Sequence, residues 1–169
     1  LWAARLQHPL PALVFLGNNY EVEEKNDLQR YLTELLDGWD LEAQFLNIAP
    51  QEGLIYQTFL PHYAGSDSPV IWLGGSWDEA AQSAFGLFLE GGGRLIVGSW
   101  SPPSFLQDIF PIDNFIWANR GSVRGLFRNE TIGFSGAHYG LKLRPPAVPL
   151  LIDDQYRAAG LRLDTGVYR

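Results

Sequence analysis

The chain has 169 residues, 46% of them hydrophobic and 18% charged, with 18 Gly, 11 Pro, six Trp and neither Cys nor Met. A chain of this length buries roughly two-thirds of its unfolded surface as one domain, and its composition excludes a disordered chain, a collagen and a disulfide scaffold. The formal net charge of −7 is uneven, with 13 acids against 3 bases in residues 1–92 and 6 against 9 in residues 93–169.

Leu1 to Leu16 is broken by Arg5, His8 and two prolines, so it is not a signal peptide, and no apolar run approaches the ~18 residues of a membrane span. A chain that opens Leu1-Trp2-Ala3 without Met points to a processed product or an excised piece of a longer protein. Ala12 to Gly17 is apolar on both alternating faces, which suits a strand buried on both sides in a parallel sheet. The period then changes. Leu28, Tyr31, Leu32, Leu35 and Leu36 predict a helix between Glu21 and Asp37, stopped at Gly38. Leu41 to Ile48 alternates and reads as a second, less buried strand. Glu52 to Leu60 predicts a short helix, followed by a loop from Pro61.

Pro69 to Leu73 is a third buried strand, closed by Gly74-Gly75. Ser76-Trp77-Asp78-Glu79 fits a capping box with Ser76 as N-cap. The helix it opens carries Ala81, Ala84, Phe85 and Phe88 on one face and ends at Gly91-Gly92-Gly93. Arg94 to Gly98 is the fourth strand, and Ser101-Pro102 opens a further short helix to about Phe110. Alternating strands and helices at these spacings predict βαβ crossovers and a mostly parallel sheet with helices on both faces. After Pro111, short apolar pieces among Gly, Pro and Asn suggest small hairpins or an antiparallel edge on the same sheet. With no repeat or low-complexity linker, residues 1–169 read as one domain, an α/β core over 12–110 with a β-rich extension over 111–169.

In an open parallel sheet, ligands bind beyond the carboxyl ends of the strands. Those ends are the loops carrying Asn18 and Asn19, then Gly74, Gly75, Ser76 and Trp77, then Ser99 and Trp100. Free amides at the Gly74-Gly75-Ser76 turn could hold a phosphate or carboxylate, but neither a G-x-G-x-x-G fingerprint nor a G-x-x-x-x-G-K-[ST] loop occurs. That leaves a flavin- or nucleotide-binding protein without its phosphate loop, and no cofactor is expected. The Gly98-Ser99-Trp100-Ser101-Pro102 turn has the setting of a nucleophile elbow without its G-x-S-x-G signature. A serine hydrolase pairing Ser99 with His138, with Asp153 and Asp154 downstream, is therefore the alternative activity. The three histidines and the adjacent aspartates show no metal-ligand spacing. The arginines from Arg120 to Arg162 are too diluted to make a nucleic-acid face. Trp72, Trp77, Trp100, Phe105, Trp117 and Tyr139 lie in or near the edge loops, where aromatics stack on sugars or on apolar partner side chains, or plug the loop bases.

The segment Pro69 to Gly75, the run Asp78-Glu-Ala-Ala-Gln-Ser-Ala-Phe-Gly-Leu-Phe-Leu-Glu-Gly-Gly-Gly-Arg-Leu-Ile-Val-Gly98 and the piece Phe105-Leu-Gln-Asp-Ile-Phe110 resemble class I glutamine amidotransferase-like domains. The likeness is to the non-catalytic versions attached to bacterial secreted peptidases and other envelope or multidomain proteins, and it spans roughly residues 12–110. It implies a flavodoxin-like three-layer α/β sandwich. Active members of that family place a catalytic Cys at the elbow after the strand matching Arg94 to Val97, with a His and a Glu later. Here Trp100 stands at that place, or Ser99 if the register slips by one. A chain without Cys cannot hydrolyse glutamine by that mechanism. The related trimerisation domains of bacterial glycosidases keep the fold without catalysis. The resemblance thus implies a non-enzymatic accessory domain of a larger bacterial protein, extracellular or in the cell envelope. Its edge loops would contact another domain, a subunit or a glycan, with no nucleic acid, no membrane insertion and no metal.

Overall fold

The computed structural model describes residues 10–17, 20–49, 51–98, 107, 110, 112–125, 131–153 and 158–162. The chain divides into two compact units, Leu1–Ser99 and Trp100–Arg169.

The first unit is a doubly wound α/β sandwich. Its elements are β1 (Ala12–Gly17), α1 (Val22–Asp37), β2 (Ala43–Ile48), α2 (Leu54–Tyr63), β3 (Val70–Leu73), α3 (Glu79–Glu90) and β4 (Leu95–Val97). The four strands are all parallel, in the order β2-β1-β3-β4. Every residue of β1 is buried, as its unbroken apolar run requires of a central strand, while β2 at the edge is only partly covered until its last residue, Ile48.

Strand alternation sorts the core into two layers. Ala12, Val14 and Leu16 of β1 join Ile71 of β3 beneath Leu32 and Leu36 of α1. On the opposite face Phe15 meets Tyr56 of α2 edge-on, with ring centroids 4.7 Å apart, and Phe85 of α3 at 6.2 Å. Among the described residues, one helix therefore covers one face of the sheet and two cover the other. The predicted apolar face of α3 is the face that is buried: Ala81, Ala84, Phe85 and Phe88.

Two local expectations are corrected. α2 runs past Pro61 to Tyr63 rather than stopping at Leu60. Pro61 has no amide to bond back to the preceding turn, a local cost, and burial of the Tyr63 ring carries the helix onward. The N-cap of α3 is Asp78, not Ser76: the Asp78 carboxylate accepts from the Ala81 amide at 2.9 Å. The Ser76 hydroxyl instead donates to the same carboxylate at 3.0 Å. A charged acceptor suits the positive end of the helix dipole better than a hydroxyl does.

The second unit is antiparallel. Strands β5 (Ile112–Gly125), β6 (Thr131–Leu143), β7 (Val148–Asp153) and β8 (Ala158–Arg162) close into a barrel in the order β5-β6-β8-β7. They form a sheet of their own, so they add no antiparallel edge to the parallel one. β5 and β6 are also far longer than the short pieces their Gly residues suggested. Their pairing slips between Ile112 and Asn114 and again between Asn119 and Gly121. Such irregularities bend long strands, which barrel closure requires.

Candidate functional site

Adjacent parallel strands whose connections leave toward opposite faces open a crevice at their carboxyl ends. β1 and β3 are such a pair, since β1 feeds α1 on one face and β3 feeds α3 on the other. The crevice mouth lies beyond Gly17 and Leu73, and the loop from Gly74 to Asp78 borders it.

The second loop is folded back over the sheet. Gly74 and Gly75 take φ of +98° and +129°, a region that side chains rarely enter. A Cβ on Gly75 would stand 2.8 Å from the Tyr56 hydroxyl and 3.0 Å from Cβ of Ile48. Ile48 ends β2 and is in register with Gly17, the last residue of β1. The loop leaving β3 therefore crosses above the end of β1 to reach β2, and it roofs the edge on the side of α2 and α3. Only a residue without a side chain permits that approach.

Asp78 fastens the roof. One carboxylate oxygen caps α3 through Ala81, and the other accepts from the Gly53 amide at 3.2 Å and from Ser76. Gly53 is the N-cap of α2, whose own side chain offers no acceptor. One acid thus serves two helix starts. The Ala81 amide, and behind it the Ser76 hydroxyl and the Gly53 amide, hold its carboxyl below the usual carboxylate range against an opposing contribution from burial.

Beneath the roof lies an aromatic stack. Trp77 lies on Phe85 with centroids 5.1 Å apart and meets Trp72 edge-on at 5.5 Å. The Trp72 indole donates to the Tyr56 hydroxyl at 3.1 Å. Burial pushes the Tyr56 phenol up to about 12, with the indole bond opposing the shift and the Asp78 charge adding to it. A phenol in that state is not poised to give up a proton near neutrality.

Of the residues singled out in the sequence, Gly74, Gly75, Ser76 and Trp77 come together here. Asn18, Asn19, Ser99 and Trp100 lie outside the described residues. So does the short helix expected from Ser101 to Phe110, apart from Gln107 and Phe110. His138 belongs to β6 in the second unit, where its backbone is in register with Ala118. Asp78, Gly53 and Tyr56 were not singled out as site residues. The signal for Asp78 was present, since Asp just before an apolar helical run is itself a preferred N-cap. Nothing local marks Gly53, which takes its acceptor from 25 residues downstream.

Among the described residues, no group of three or more His, Asp or Glu is placed to hold a metal ion, and no helix is long and apolar enough to cross a membrane. Comparison with known proteins returned no match among protein-family models, curated proteins or solved structures.

Proposed function

We propose that the chain is a non-catalytic accessory module of the glutamine amidotransferase-like type. Its first unit presents the carboxyl edge of the parallel sheet to another domain, a subunit or a glycan. The observation that carries this reading is the closed state of the Gly74–Asp78 loop. Catalysis needs an acid, base or nucleophile turned toward a substrate. Of the polar side chains this loop offers, the Ser76 hydroxyl donates to the Asp78 carboxylate, which also accepts from the amides that start α2 and α3. The strand order agrees with the flavodoxin-like sheet that the resemblance implies, and the absence of Cys removes the family's nucleophile.

The experiment treats the full chain with a fluorophosphonate probe and with p-nitrophenyl esters, alongside S99A and H138A. The expected result is no labelling and no ester turnover above the level shared by all three proteins. Stoichiometric labelling that disappears in S99A and drops in H138A would overturn the accessory reading in favour of a serine hydrolase.

A further inference from the structure

A four-stranded sheet in a layered fold needs both faces covered. Among the described residues, α2 and α3 share one face, while α1 lies on the other. A right-handed β1–α1–β2 crossover sets α1 over the β1 and β2 side of that face. The right-handed winding of the helix then turns positions 28, 31 and 35 toward β3 and β4 rather than toward the β2 edge.

Those positions are apolar and poorly covered. Leu28 is half-buried, whereas Tyr31 is 62% and Leu35 37% exposed. The floor beside them is apolar as well. Leu73 packs only partly against the α1 core, and Ile96, in register with the buried Ile71, is 46% exposed. Gly98 continues the floor, where a Cβ would stand 2.8 Å from the Leu73 side chain. The result is an apolar trough with α1 as its wall and β3 and β4 as its base.

Charge selects what fits there. Asp27 and Glu34 flank Tyr31 on the solvent side of the wall, seven residues apart and so on one helical row; both are exposed. Asp27 is paired with the exposed Arg30 at 2.9 Å, an arrangement that solvent keeps weak. The first 92 residues are acidic overall, with 13 acids against 3 bases. A second copy of this face would set one acidic rim against another, which like-charge repulsion opposes.

We propose that this trough docks an amphipathic helix of a partner protein, one that presents apolar residues at i, i+3, i+4 and i+7 with Lys or Arg along its flanks. The docked helix supplies the missing cover on this face. The trough lies on the α1 face of the sheet and meets the carboxyl edge only at Leu73 and Gly98, whereas the Gly74–Asp78 loop folds over the other face, so the proposal goes beyond the accessory reading. A hydrolase acting at that edge would keep the same trough.

The test uses the full chain and a fluorescein-labelled Leu/Lys peptide of about 14 residues, or four turns, with leucines on one helical stripe and lysines on its flanks. One control keeps the leucines and replaces Lys with Glu; the other scrambles the Leu/Lys order so that the stripe is broken. Anisotropy is expected to show the striped Lys peptide binding at least about tenfold more tightly than either control. Y31S/I96S, both sites being exposed, is expected to weaken it by a similar factor. D27K/E34K, a surface pair that leaves the apolar floor intact, is expected to weaken the Lys peptide and favour the Glu peptide. Circular dichroism at 222 nm confirms that each variant is folded, and the charge-reversal pair decides the matter if Y31S/I96S does not fold. Equal binding of the scrambled peptide, no binding of the striped one, or indifference to D27K/E34K overturns the proposal. So does a sedimentation result in which the protein dimerises and Y31S/I96S returns it to monomer, because a second copy then occupies the face.

Discussion

Because Asp78 accepts from two backbone amides and the Ser76 hydroxyl, its ionised form is favoured in the folded chain over the unfolded one. The folded value lies below the ordinary 3.8, so the contribution is fully present above that pH and is lost as pH falls through the lowered value. D78A is therefore expected to lower the melting temperature of the first unit by about 4 °C or more at pH 7. The gap between wild type and variant should shrink as the pH falls below 3.8 and through the lowered value; a gap that stays constant with pH would show that the charge is not what matters. Tyr56 works in the opposite direction. Its phenol keeps its proton in the folded state up to about 12, against 10.0 in the open chain. Between those values the unfolded chain binds fewer protons, so stability falls as the pH rises through the window. Y56F should flatten that alkaline slope in urea titrations, leaving the part due to Tyr63, whose phenol burial also raises. It should also cost about 1 kcal/mol at neutral pH through the lost bond to Trp72. A slope identical to wild type would refute the assignment.

The elements differ in how much of them could be read from the chain. β1, α1 and α3 were legible because a single local signal dominated each one. In β1 that signal was a continuous apolar run, and in α3 it was Ala81, Ala84, Phe85 and Phe88 at helical spacing. Burial then acted on the periodicity already present. The end of α2 was not legible, since Pro61 is a strong local stop and the contrary pull on Tyr63 comes from tertiary packing. The α3 cap misled because Ser76 and Asp78 both fit a capping pattern, and the choice between them depends on Gly53 in another segment. The edge site was legible as a place but not as a state. Gly74 and Gly75 marked the turn, while its folding over β1 is decided by Ile48 and Tyr56, more than 15 residues upstream. β5 and β6 were hidden for a related reason. Their Gly residues read locally as breaks, yet paired strands of 14 and 13 residues absorb them where the chain must bend.

At the scale of the whole molecule, the two units differ in both contact pattern and charge. The three long helices of the described residues, α1, α2 and α3, lie in the first unit, so ellipticity at 222 nm reports mainly on it, whereas the described strands of the second unit are antiparallel. Each unit closes a structure of its own, a sandwich around Phe15, Tyr56 and Phe85 in one and a four-stranded barrel in the other. Chains of this kind depart from a single all-or-none transition. F85A removes a fully buried ring that Phe15, Tyr56 and Trp77 all touch, and truncations of that type cost about 3–5 kcal/mol. Calorimetry of the full chain is expected to show two transitions. In F85A the one that coincides with loss of the 222 nm signal should move down by more than about 10 °C. The other should hold its midpoint to within about 2 °C, because no side chain of the barrel's own strands has been changed. Two midpoints that fall together by the same amount would mean that the barrel depends on the sandwich for its stability. A single transition in wild type that stays single in F85A would mean that the units unfold as one.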